Sequence, residues 1–92
     1  MNVTWDPAKN WSNQRKHGIS FDDAQAVFQD PHRIEVLDER DFGEERWAVI
    51  GTSGRIVVYV VYTERTIGIR LISARKADPD DEADSYASKT WQ

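Results

Sequence analysis

Residues 56–62 read Ile-Val-Val-Tyr-Val-Val-Tyr. A short apolar run of β-branched and aromatic side chains, bounded by turn residues, is a strand. Being apolar on both faces, it belongs in the middle of a sheet. The spacing predicts further strands around it: Arg33–Asp41, Arg46–Thr52, Arg55–Thr63 (which holds the run itself) and Thr66–Ala74. The link at 41–45 contains Gly43, Thr52-Ser53-Gly54 reads as a tight hairpin, and Glu64-Arg65 supplies a third turn. Links this short connect antiparallel neighbours, so the four strands form a meander.

Upstream the period changes. Val3–Trp5 fits a short strand, and Asp6-Pro7 reads as an N-cap with proline at the first helical position, opening a helix to Lys16. Gly18 stands where a left-handed C-cap is needed. Ser20 caps a second helix, with Asp23 completing an approximate capping box. Phe21, Ala24, Val27 and Phe28 give that helix one buried stripe, and Asp30-Pro31 stops it. Downstream, Asp78-Pro79-Asp80-Asp81-Glu82 opens a last helix, whose Ala83, Tyr86 and Ala87 would face the sheet. The expected fold is α+β: one two-layer domain over residues 1–92, with a short N-terminal strand, two helices, a four-stranded antiparallel meander and a C-terminal helix.

The chain of 92 residues is 39% apolar and 30% charged, and it has no cysteine. Disulfides, thiolate metal sites and a cysteine nucleophile are therefore excluded. No apolar run reaches the roughly 20 residues of a spanning helix, and the first residues lack a leader's basic and apolar regions, which points to the cytoplasm. His17 and His32 have no metal-ligand spacing, and phosphate-loop, dinucleotide-loop and serine-elbow motifs are absent, so no metal or cofactor is expected.

The net charge of −4 argues against a general nucleic-acid binder, but its distribution is uneven. Residues 1–45 carry −5, residues 46–77 carry +5 and residues 78–92 carry −4. The basic middle holds Arg46, Arg55, Arg65, Arg70, Arg75 and Lys76 against Glu64 alone. Arg46, Arg65, Arg70 and Arg75 fall inside or at the ends of strands of one sheet. Arg70 alternates with Ile69 and Leu71 and so points away from their side. An arginine among apolar strand neighbours needs an anion or a carboxylate. Two arrangements satisfy it: a salt-bridge network with Glu44 and Glu64, or a cradle for phosphate.

Several strings occur together in order. They are Trp5-Asp6-Pro7-Ala8-Lys9-Asn10, Asn13-x-x-Lys16-His17-Gly18-Ile19-Ser20-Phe21 and Ala24-x-x-Val27-Phe28-x-Asp30-Pro31. Then come Asp38-x-Arg40, Phe42-Gly43-Glu44-x-Arg46-Trp47, Ile50-Gly51, Tyr62-Thr63-Glu64-Arg65 and Ile69-Arg70-Leu71-Ile72-Ser73-Ala74-Arg75-Lys76-Ala77. Over residues 5–77 the chain resembles the BrnT toxin family. The resemblance implies a RelE-like fold and a ribonuclease toxin of a type II toxin–antitoxin pair that stops translation. It also implies a ribbon-helix-helix antitoxin, BrnA-like, through which the complex holds its promoter DNA. Where that family carries a basic last helix, Glu82-x-x-x-Tyr86 stands here among Asp78, Asp80, Asp81 and Asp84, which repel a phosphate backbone.

Metal-free RNA cleavage needs a base for the 2′-hydroxyl, cations for the phosphorane and an acid for the leaving oxygen. Arg70 and Arg75 are the first candidates for the phosphate, Arg46 and Arg65 the second. His17, Glu44, Glu64 and Tyr86 are the candidates for proton transfer, although His17 also fits a helix C-cap meeting the dipole. The competing expectation is a non-catalytic interaction module, a degenerate toxin or adaptor that binds a basic protein partner.

Overall fold

The computed structural model describes residues 2–38 and 45–78. Its elements are β1 (Val3–Thr4), α1 (Pro7–His17), α2 (Phe21–Ala24), a 3₁₀ segment (Gln25–Gln29), β2 (Ile34–Asp38), β3 (Arg46–Ser53), β4 (Ile56–Arg65) and β5 (Gly68–Lys76). The class is α+β, as expected.

Both helix starts follow from side-chain caps. The Asp6 carboxylate accepts the Ala8 N–H at 2.9 Å, and the Ser20 hydroxyl accepts the Asp23 N–H at 3.1 Å. Helix α1 ends where Gly18 turns left-handed (φ 73°) and donates its N–H to the Gln14 carbonyl at 2.8 Å. The second helix is α-helical only to Ala24 and continues as 3₁₀ to Gln29. The spacing of Phe21, Ala24 and Val27 is three residues, the 3₁₀ period, so tightening the helix brings all three onto the sheet.

The sheet has five strands in the order β1-β5-β4-β3-β2. Strands β2 to β5 form the antiparallel meander, and β4, with its run of apolar residues, is central. Three expectations need correction. The sheet is five-stranded and mixed, because β1 adds parallel to β5 through Val3↔Ile69 and Thr4↔Arg70. The open edge of β5 supplies the partner that so short a strand needs: the Ile69 N–H donates to the Asn2 carbonyl at 2.8 Å. The third turn is not at Glu64-Arg65, which lie inside β4, but at Thr66-Ile67. There Gly68, at φ 90°, closes the hairpin against Arg65, and any Cβ on it would collide with the Asn2 carbonyl. The strands also differ at their ends: β2 starts at Ile34, with residues 39–41 of the expected strand outside the described residues, and β5 runs from Gly68 on to Lys76. The C-terminal helix and the link around Gly43 fall outside the described residues.

One face of the sheet is covered by α1, α2 and the 3₁₀ segment. Phe21, Ala24, Val27 and Phe28 pack there against Val49, Val58, Val60, Tyr62, Ile69, Leu71 and Ala74. Edge-to-face contacts of Trp5 with Phe21 (6.0 Å) and Phe28 with Tyr62 (5.4 Å) close the two ends of this layer.

Two polar side chains tie the layers together. Asn13, the one buried residue of α1, donates to the Ile19 carbonyl at 3.0 Å and the Ala74 carbonyl at 2.8 Å, and accepts the Ala74 N–H at 3.0 Å. Its amide takes the place of a neighbouring strand along the part of β5 that β1 does not reach. Asp30 accepts the His32 N–H at 2.9 Å and the Thr52 N–H at 2.8 Å. Gly51 permits that approach, because a Cβ there would lie 2.8 Å from the Asp30 carboxylate.

Two stability predictions follow from these contacts. Asn13→Ala strands both backbone groups of Ala74 and should cost about 3 kcal/mol, at roughly 1–3 kcal/mol per stranded group. Trp11→Ala, at a residue 61% exposed, should stay within about 0.5 kcal/mol of the parent in the same urea titration. Equal effects would show that the clamp contributes nothing. The Tyr62 phenol is buried and donates to Glu35 at 2.7 Å; burial first, then that bond, pushes its ionisation well above the ordinary tyrosine value. A folded-state value above the unfolded one stabilises fully below about pH 10 and is lost as pH rises further, by at most about 1.4 kcal/mol per pH unit. Tyr62→Phe should therefore flatten the fall in stability above pH 10; identical alkaline slopes would contradict this.

Candidate active site

The second face of the sheet is set by strand register. Directly paired residues share a face, so each pair can be assigned from the helix-side core. On β5, Ile69 and Leu71 face the helices, and so does Ala74. Simple alternation cannot place residues 71 and 74 on one side. The register shift between Val61 and Tyr62 resolves it: Tyr62 pairs with Leu71, Val61 with Ser73, and Ile72 is the extra residue of a β-bulge. Beyond the bulge the alternation is reset, and Arg75 pairs with Tyr59.

The consequence is chemical. Arg70 and Arg75 stand five residues apart, an odd separation that would put them on opposite faces of a regular strand. The bulge puts both on the face away from the helices. Arg46 joins them on β3, one step beyond the Trp47↔Tyr62 pair, and Arg65 on β4, two steps beyond Thr63. All four arginines singled out in the sequence therefore share one face. Across it run Thr4, Arg70 and Thr63, then Arg46 and Asp38. With strands about 4.8 Å apart, the Arg46 and Arg70 backbones are about 10 Å apart, with Thr63 between them.

The side chains of this face differ in their support. The Arg75 guanidinium stacks 4.3 Å from the Tyr59 ring centre and donates to the Lys76 carbonyl at 3.1 Å. Arg70 is half-buried and makes no ion pair among the described residues, and Arg65 is exposed. The floor between them is Ala48, Ile50, Val61 and Thr63, each buried to 4% exposure or less. The Thr63 hydroxyl is buried without a hydrogen-bond partner among the described residues. This floor itself carries no charge to compete for an anion; among the described residues the carboxylate of the face is Asp38, paired with Arg46 at its far side.

Of the proton-transfer candidates, the two among the described residues, His17 and Glu64, do not lie on the arginine face. His17 ends α1 and lines a groove with Lys9, Ser12, Asn13, Lys16, Ile72 and Ser73, across the β5 edge from the arginines. Its position after Arg15 and Lys16 in the last turn also suits a cation at a helix C-terminus. Glu64 pairs with Ile69 and so belongs to the helix side, away from Arg70. Glu44 and Tyr86 lie outside the described residues. Tyr59, Thr63 and Ser73 belong to the arginine face, yet sequence reasoning singled out none of them for function; Tyr59 was legible from its alternation with Val58 and Val60. Ser73 was not, because nothing in the sequence marks the bulge. No helix among the described residues is long and apolar enough to cross a membrane.

No curated protein matches the chain. A family model does: that of BrnT, the ribonuclease toxin of type II toxin–antitoxin systems, matches residues 5–81. The matched span takes in both helices, all of β2 to β5 and the whole arginine face except Thr4. On that match the chain belongs to the BrnT family of ribonuclease toxins, whose members act in type II toxin–antitoxin systems and so imply an antitoxin as partner.

Proposed function

We propose that the arginine face binds a phosphodiester of RNA and that the chain cleaves it without a metal ion, stopping translation until a ribbon-helix-helix antitoxin covers the site. The convergence of Arg46, Arg65, Arg70 and Arg75 on one face carries this proposal. In the reaction the 2′-oxygen attacks phosphorus, the bond to the 5′-oxygen breaks, and the equatorial oxygens gain charge in between. Arg70 holds those oxygens, and Arg75, farther along β5, holds the phosphate backbone of the same strand together with Arg46 and Arg65. Fixed guanidinium groups stabilise charge that grows only in the transition state, which is where binding accelerates a reaction.

Arginine stays protonated and cannot be the base. The proton on the 2′-hydroxyl and the proton for the leaving oxygen pass through groups drawn from His17, Glu44 and Tyr86. A chain of net charge −4 is poorly suited to hold promoter DNA, so the DNA contact falls to the antitoxin.

Arg70→Ala and Arg75→Ala should each abolish growth arrest on induced expression. Neither should shift stability by more than about 1 kcal/mol, the range for exposed or partly exposed side chains and a single cation–π contact. Arg70→Lys keeps the charge but loses the two-pronged fork, and should remain impaired. Toxicity and thermal melting are read on the same variants. Lost toxicity with a collapsed melt would make these arginines scaffold, and the catalytic assignment would be withdrawn.

A further inference from the structure

The groove between α1 and the β5 bulge is a second basic surface. Helix α1 lies along β5, yet its stripe toward that strand is Lys9, Ser12, Asn13 and Lys16, at positions i, i+3, i+4 and i+7. A helix that serves only to cover a sheet places apolar side chains there. Here the groove of about 250 Å³ is lined by two lysines, His17 and two serines, with Ile72 as its apolar contact and no carboxylate among the described residues. All four ionisable residues of α1 (Lys9, Arg15, Lys16 and His17) are basic, in a chain of net charge −4. The Asn13 amide is already engaged with Ile19 and Ala74, and neither lysine has an ion-pair partner among the described residues. The two lysines, two helical turns apart on the side of α1 that lines the groove, thus stand without a counter-charge among the described residues.

Ser73 joins this groove to the arginine face. It lines the groove, and its pairing with Val61 assigns it to the same face as Arg70 and Arg75. Along the strand it lies about 7–10 Å from them, at roughly 3.4 Å per residue. We propose that the Lys9–Lys16–Ser73 groove is a phosphate subsite that takes a phosphodiester of the same RNA strand, next to the one held on the arginine face. This rests on the ribonuclease function proposed above and adds the path of the strand: over the β5 edge, at the bulge, and along α1. The donor set is ammonium, imidazole and hydroxyl, which suits phosphate oxygens, and among the described residues no phenyl, phenol or indole ring lines it for a base to stack on.

The test uses the full chain and an RNA oligonucleotide with 2′-O-methyl riboses, which binds but lacks the attacking hydroxyl. Its affinity is measured by fluorescence anisotropy over a series of salt concentrations. Lys9→Gln with Lys16→Gln keeps the aliphatic stems and removes both charges. The double variant should melt like the parent, bind about tenfold more weakly near 0.15 M salt, and lose about 1.4 from the slope of log K against log salt, two contacts at about 0.7 each on a single strand. An unchanged affinity and slope, in a parent that cleaves unmodified RNA, would overturn the subsite and leave the arginine site standing. A parent that neither binds nor cleaves RNA would overturn both. A double variant with weakened antitoxin affinity but an unchanged RNA slope would assign the groove to a protein contact, and the proposal would fail.

Discussion

The pairing of β5 with β4, and its single bulge at Ile72, is the constraint on which the two faces of the sheet depend. Before the bulge, Leu71 enters the core and Arg70 faces out. After it, Ala74 enters the core and Arg75 faces out. A regular strand could bury Leu71 and display Arg70, but it would then turn Ala74 outward and force Arg75 under the helices. Burying an unpaired guanidinium costs several kcal/mol, so the core and the arginine face are solved together or not at all. The same irregular step brings Ile72 and Ser73 to the groove beside α1.

Much of the string by which the chain resembles its family builds this frame rather than the chemistry. Asn10 accepts the Phe21 N–H at 2.8 Å, Asn13 clamps Ala74, Gly18 ends α1, and Ser20 starts α2. Asp30 and Gly51 fasten the 3₁₀ segment to β3. These residues satisfy backbone groups that helix and strand ends leave open, those bonded by Asn13 being fully buried. With 92 residues the chain can bury only a modest core, and directional polar contacts fix the geometry that apolar packing alone would leave loose.

Local signals made the caps, the first helix and the meander legible in the sequence, because each rests on residues within a few positions of one another. The central place of β4 was legible from an apolar run with no polar face. Three features were not legible: the addition of β1, the turn at Thr66-Ile67 and the bulge. Each depends on a partner distant in the chain, as Asn2 is from Ile69 and Tyr62 is from Leu71. The arginine cluster was legible as composition, through the +5 charge of residues 46–77, but its unity was not. Strict alternation would have divided Arg70 from Arg75. Glu64, one of the two carboxylates that could have answered the arginines, illustrates the same point, since its pairing with Ile69 assigns it to the helix side.

In the proposed reaction the RNA's own 2′-hydroxyl attacks at the arginine face, with protein cations in place of a metal. The chemistry of the product ends tests this most directly. Purified chain, freed from its antitoxin, is incubated with RNA in the presence of a chelator, and the termini of the fragments are identified. The account predicts unimpaired cleavage, with a 2′,3′-cyclic phosphate on one fragment and a free 5′-hydroxyl on the other. Fragments ending in a 3′-hydroxyl and a 5′-phosphate, or cleavage abolished by the chelator, would contradict it.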